Sequence, residues 1–313
     1  MQRIKRIKVT GALLWCLSTL ALSVPALAEV DFSGRWAARY HEDWQERLPS
    51  PELGDYTGLP INDAARAKAE AWEESVQSEL ERQCPPHAAA YNLHGPSNLL
   101  IWSEADPISG RVLDWRVWGP RQINYTIWVD GRPHPSKNTT HTSEGFTTGH
   151  WEGDTLVTFT DHIKFGYLRR HGVPSSDLAT ESAHWVRHGN VLTVTTIVYD
   201  PIYLTQPLIR TTNWELDPNM PNPLPIACEP GDEVVRARGV VPHHLPGTNP
   251  FVGEITKWHN IPLEAARGGA ETMYPEYRKK LKDKYVAPEK CMRLCGGPSA
   301  GGGRGGAPPP RQN

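Results

Sequence analysis

The chain has 313 residues, with 33 Lys and Arg against 35 Asp and Glu, a formal charge of −2. That balance argues against nucleic acid as the main partner. The length suits one large domain or two small ones behind a short leader.

The leader is legible. Arg3, Lys5, Arg6 and Lys8 precede an apolar run from Gly11 to Val24, and Ala26 and Ala28 complete a small-x-small pattern. This reads as a signal peptide over residues 1–28, cleaved after Ala28. The run is too short for a membrane anchor, and no later stretch is apolar enough to span a bilayer. The mature chain is therefore expected in the periplasm or outside the cell. It keeps 29 basic against 35 acidic side chains, a formal charge of −6.

Four cysteines follow the leader: Cys84, Cys228, Cys291 and Cys295. In an oxidising compartment an even number points to bridges. Cys84 follows a helical pattern and Cys228 the last strand-like one, so a Cys84–Cys228 bridge would close a long loop. Cys291 and Cys295 are neighbours that could pair with each other or bind a metal adventitiously.

In chain order, "SGRWAARY" reads as a first strand. Asn62 then caps a pattern in which Ala65, Ala69, Trp72, Val76 and Leu80 recur at steps of three and four. This predicts an amphipathic helix over 62–82, inserted after the first strand and ended by Pro85 and Pro86. The period then falls to two. "NLLIWSE", "RVLDWRVW", "INYTIWVD", "TLVTFTDHI", "ESAHWVRH", "VLTVTTIVYD" and "LIRTTNWEL" are strand-like, separated by turns such as Glu152-Gly153-Asp154 and His188-Gly189-Asn190. With the opening strand this makes eight, enough for an antiparallel barrel or a sandwich. The barrel domain is expected over 29–255, with a partly helical extension over 256–295. Residues 296–313 have the Gly- and Pro-rich composition of a disordered tail.

Gly34 and Trp36 in "DFSGRW" resemble the Gly-x-Trp opening of lipocalins and other calycin barrels. The stretches "GDYTGLPIND", "GPSNLLIW", "DGRPHP", "GFTTGHWEGDTL", "GYLRRHGVP", "DPIYLTQPLIRT" and "VVPHHLPGTNPF" resemble a family of secreted bacterial proteins with a signal peptide and a β-barrel. The resemblance implies a calycin-like antiparallel barrel. It implies no catalytic residue, because no activity is attached to that family.

Polar side chains concentrate between Asp130 and His171. His141, Glu144 and His134 are candidate acid–base residues, since a loop His beside a carboxylate can move a proton near neutral pH. Asp130, Arg132, His150, His162, Tyr167, Arg169, Arg170 and Trp128 are candidate ligand-binding residues around the same barrel mouth, the Arg pair suiting an anion. The alternative for each is a loop staple or an ordinary ion pair. The inner and outer faces of "TLVTFTDHI" and "ESAHWVRH" are both mixed, which fits a ligand-holding interior better than a dry one. Trp102, Trp115, Trp118 and Trp128 could line it.

No phosphate loop, dinucleotide fingerprint, nucleophile elbow or zinc spacing occurs, and no cofactor is expected. The leading expectation is a barrel that binds a hydrophobic or aromatic small molecule, either neutral or anionic. An enzyme on the same barrel, using His and Glu as a hydrolase, lyase or isomerase, is the alternative. A structural envelope protein is the third.

Overall fold

A computed structural model describes residues 30–39, 42, 51–94, 98–119, 123–169, 171–221 and 228–281. The expected signal peptide, Arg170, Cys291, Cys295 and the expected tail lie outside them. The chain divides into Met1–Asp31 and Phe32–Asn313, and every element below belongs to the second unit.

Nine strands close a barrel: β1 (Gly34–Ala38), β2 (Leu99–Ala105), β3 (Val112–Gly119), β4 (Ile123–Trp128), β5 (Phe146–Glu152), β6 (Thr155–Asp161), β9 (Thr180–His188), β10 (Val191–Tyr199) and β11 (Leu208–Leu216). A separate two-stranded sheet joins β7 (Gly166–Arg169) and β8 (Val173–Ser175). The spatial order β1-β11-β10-β9-β6-β5-β4-β3-β2 settles barrel against sandwich. An odd ring of strands cannot alternate direction all the way round. One neighbouring pair must run parallel, and that pair is β4–β5, joined only at Ile127–Thr147 and Trp128–Thr148.

The ninth strand is β5, whose sequence FTTGHWE reads as loop chemistry but alternates once paired with β6. The turns on either side of β6 and β9 follow the sequence reading. Gly153, at φ +64°, turns β5 into β6, and Gly189, at φ +60°, turns β9 into β10.

The interior is made of alternate residues. Leu156, Thr158 and Thr160 of β6 and Glu181, Ala183 and Trp185 of β9 are all buried and pair across the ladder. Aromatic packing fills one end: the Phe32 ring lies 5.6 Å from Trp151 in a stack and 5.5 Å from Trp115 edge-on. Trp36 is buried there, donates from Nε1 to the Phe32 carbonyl at 2.9 Å, and lies under the Arg187 guanidinium. Of the other tryptophans that could line the interior, Trp115 does so, whereas Trp102 is exposed and Trp128 lies under Arg132. Val198 and Leu208 meet Tyr56, Leu59, Ile61, Ala65 and Leu168 in a second apolar cluster.

Between these ends lies a polar belt. Tyr125 Oη and Thr160 Oγ1 are 2.7 Å apart, and Thr160 Oγ1 and Thr147 Oγ1 are 2.8 Å apart. Glu181 joins this belt. It is 1% exposed, and neither carboxyl oxygen has a hydrogen-bond partner among the described residues. Burial pushes its carboxyl up to about 8, against the pull of the Arg210 guanidinium.

The helical pattern after β1 is shorter than its spacing suggests. Helix α1 spans Asp63–Glu70, capped by Asn62 Oδ1 accepting from Ala65 N at 3.0 Å. Trp72 leaves the helix to bridge His243, and Glu73 then caps a 3-10 turn over Glu74–Ser78. The apolar residues at helical spacing thus serve two surfaces, and pairing with a distant segment outweighs propagation of the helix. Helix α2 (Ala89–Asn92) precedes β2. Beyond the barrel, α3 (Glu254–His259), α4 (Leu263–Ala266) and α5 (Pro275–Leu281) make the C-terminal extension partly helical.

Cys84 and Cys228 form a disulfide with Cα atoms 5.4 Å apart, as their positions suggested. It ties a strap to the segment after α1. Gly231 N donates to Gln83 Oε1 at 2.6 Å, Leu80 N to Glu233 Oε1 at 2.9 Å, and Val234 N to Ser78 Oγ at 3.0 Å. No helix among the described residues is long and apolar enough to cross a membrane.

Candidate functional site

The parallel seam dictates where the polar loop goes. Residues 129–145 must turn from the end of β4 back to the start of β5, and they fold against the outer wall of β5 and β6. Gly145 makes the last approach possible. At φ +70°, a Cβ there would lie 2.5 Å from the Asp161 carbonyl oxygen and 2.8 Å from Thr160 Cγ2. Only glycine fits.

The crossover brings together a chain of polar groups centred on Asp161. Asp161 Oδ1 lies 2.8 Å from His134 Nδ1 and 2.6 Å from His162 Nδ1. His134 Nε2 lies 2.7 Å from Thr148 Oγ1. With its Nδ1–H donated to the carboxylate, Nε2 accepts from the Thr148 hydroxyl, giving a line of hydroxyl, imidazole and carboxylate. Phe146 and Phe159 flank the His134 ring at 5.2 and 5.3 Å. His162 Nε2 meets the Ser136 carbonyl at 2.9 Å, so both its ring nitrogens face acceptors. The Asp161 hydrogen bond holds the His162 pKa above the usual imidazole value.

His141 sits beside this group, its ring 5.2 Å from that of His162, with Nδ1 donating to the Ile163 carbonyl at 2.9 Å. Glu144 makes no hydrogen bond or ion pair among the described residues, so nothing couples it to His141. His150 projects outward from β5 and pairs with Glu152 at 3.0 Å, apart from the other histidines. Among the described residues no three His, Cys, Asp or Glu side chains gather to hold a metal ion. Asp130 receives a fork from Arg132, with Nη2 2.6 Å from Oδ2 and Nε 3.0 Å from Oδ1. The Arg132 hydrogen bond lowers the Asp130 pKa. The same guanidinium lies 3.3 Å from the Trp128 ring centroid, so both its charge and its face are engaged.

The residues expected from the second loop go elsewhere. Arg169 is buried and donates from Nη1 to the Asp55 carbonyl at 2.9 Å, a structural position under the segment before α1. Tyr167 lines a groove of about 460 Å³ between the segment after α1, the β7–β8 hairpin and Val241–His243. The single mouth expected from the sequence is thus two surfaces: a stapled crossover on the barrel wall and an aromatic groove.

Trp72, Phe165 and Tyr167 build the groove. Tyr167 meets Trp72 at 5.5 Å and Phe165 at 5.8 Å, both edge to face. Its hydroxyl accepts from Arg82 Nη1 at 3.0 Å, and Arg82 Nε meets Glu79 Oε2 at 3.1 Å. Gly172, at φ +86°, allows Trp72 to seat: a Cβ there would lie 2.8 Å from Trp72 Cε3. Phe165 is 48% exposed. Lys68, at the end of α1, holds its ammonium 5.8 Å from the Phe165 centroid.

Sequence reading missed Thr148, Trp72, Phe165, Lys68 and Glu181 as a set. The spacing of Trp72 points to a helix face, and the alternation of Phe165 with Tyr167 in "KFGY" is the one sign of the groove in the sequence. No family model matches the chain, and neither a curated protein nor a solved structure matches it.

Proposed function

We propose that this is an envelope protein on a calycin-like barrel that binds a small molecule with an apolar or aromatic body in the Trp72–Phe165–Tyr167 groove. One observation carries the reading. Three aromatic rings from two separate segments converge on one concave surface of about 460 Å³, within the range of small-molecule sites. Phe165 stands half out of the surface, so its ring offers apolar area to a bound molecule. The calycin-like identity rests on Gly34 and Trp36 at the aromatic end of the barrel. Secretion rests on the leader together with the Cys84–Cys228 bridge, which needs an oxidising compartment.

Native mass spectrometry of protein purified from the periplasm tests the reading. A retained small molecule is expected, and it should be lost from the Trp72→Ala variant. Protein that carries nothing and fails to bind indole in solution overturns it.

A second reading has its own observation, the line from Thr148 Oγ1 through His134 to Asp161. This arrangement can take a proton from a hydroxyl, as acyl-transfer chemistry requires. Turnover of a chromogenic ester that His134→Gln abolishes would favour it. Absence of turnover leaves the line as the staple that holds the crossover to β5.

A further inference from the structure

The charges around the groove are not balanced. Glu73, Glu79 and Glu81 line it against Lys68 and Arg82. Arg82 is already committed to Glu79 and to the Tyr167 hydroxyl. Glu73 accepts from the Ser75 hydroxyl and backbone N–H, and those bonds lower its pKa, helped by the nearby Arg236, whose Nη2 is held on Ser75 and Ser78. Glu81 makes no ion pair among the described residues. An anion entering the groove would meet more carboxylates than free cations.

The rings add to the same preference. Trp72 stands at 83° and Phe165 at 74° to Tyr167, so the three form a corner rather than a stack. Aromatic faces carry the negative side of the ring quadrupole, and rings arranged as walls attract a desolvated cation. The groove already shows this on a small scale, because the Lys68 ammonium rests over Phe165.

We infer that the groove selects organic cations, with an alkylated ammonium head against Phe165 and Trp72 and a carboxylate at the rim. This rests on the groove being the binding site, and it replaces the neutral or anionic ligand expected from the sequence with a cation. Alkylation matters because a bare ammonium is strongly hydrated, whereas methyl groups spread the charge over a surface that fits an apolar wall. On this reading Lys68 is the internal occupant that a ligand displaces.

The test compares choline with its neutral carbon isostere, 3,3-dimethylbutan-1-ol, by calorimetry on protein with the Cys84–Cys228 bridge intact. Indole serves as a probe of the groove itself. Choline should bind about tenfold more tightly than the isostere. Phe165→Leu keeps the bulk but removes the π face, so it should erase that preference while indole still binds. Lys68→Ala should tighten choline binding. Equal binding of choline and isostere, or indole binding without choline, overturns the cation preference and leaves the groove reading in place. Failure of all three probes overturns both. A choline preference that survives Phe165→Leu also sinks the proposal, since the charge would then be recognised elsewhere.

Discussion

Glu181 faces Thr160 across the β6–β9 ladder inside the barrel, and its carboxyl is held there without a hydrogen-bond donor among the described residues. Burial raises its pKa from 4.5 to about 8. Between those values the unfolded chain loses a proton that the folded chain keeps. The unfolded state therefore binds fewer protons, and this group's contribution to stability falls as pH rises from 4.5 to about 8, then levels off. The Arg210 guanidinium opposes the shift, and a charged Glu181 would in turn raise the Tyr125 pKa, already raised by burial. Glu181→Gln should flatten that slope in urea unfolding at pH 5, 6.5 and 8, with the largest gain, on the order of a few kcal/mol, at the alkaline end. A slope unchanged by the substitution would mean the carboxyl is solvated in the folded state.

His162 shifts stability in the same direction, through a gained partner rather than burial. Its pKa is raised in the fold by Asp161, so its stabilising effect is complete below the unfolded imidazole value and fades as pH rises through the folded one. In an NMR titration the His162 ring should change state at higher pH than an ordinary histidine. Asp161→Asn should bring it back toward the ordinary value and loosen residues 129–145 in hydrogen exchange. A titration indifferent to Asp161→Asn would detach His162 from the carboxylate.

The disulfide supports the groove as well as the chain. Cys84 lies just past Arg82, and the strap after Cys228 covers the segment that carries Glu73 and Glu79. Replacing both cysteines by Ala should cost about 2–4 kcal/mol. Because the barrel ladders do not depend on the bridge, far-ultraviolet circular dichroism should keep its β character while indole binding weakens. Loss of the whole fold at 25 °C would show that the strap is integral to the barrel.

Gly172→Ala is a more local probe of the same surface. The substitution demands φ +86° of an alanine and drives a Cβ against Trp72. A destabilisation of about 1–3 kcal/mol is expected, together with a change in tryptophan fluorescence. Unchanged fluorescence would mean that Trp72 does not pack on the hairpin turn.

Most of the barrel was legible because alternation survives in single strands. The buried sets Leu156, Thr158, Thr160 and Glu181, Ala183, Trp185 follow directly from a period of two. Strand β5 was not legible: Gly149 and His150 imitate a loop, and the strand is defined by its ladder with β6. The Cys pair was legible from position and from the compartment that the leader led one to expect. The site was legible only as a polar neighbourhood. Whether His134 and Tyr167 share a surface depends on the β4–β5 seam, which is a property of closing nine strands. Helix α1 ends early for a related reason, since Trp72 is drawn to His243, far along the sequence.

The covalent ring drawn by Cys84 and Cys228 encloses residues 99–216, and so every barrel strand except β1. Strand β1 pairs with both β2 and β11, setting Trp36 beside Leu99 and Leu216. Strands β2–β4 and β9–β11 are meanders whose contacts are close in sequence and can form early. The last gap to fill accepts the N-terminal strand only when both of its neighbours stand ready. The topology predicts assembly toward the beginning of the chain, with β1 in hand first and used last. Until then β2 and β11 present open edges of the kind that recruit foreign strands. Chaperone dependence during biogenesis should concentrate in that interval, before Trp36 is buried.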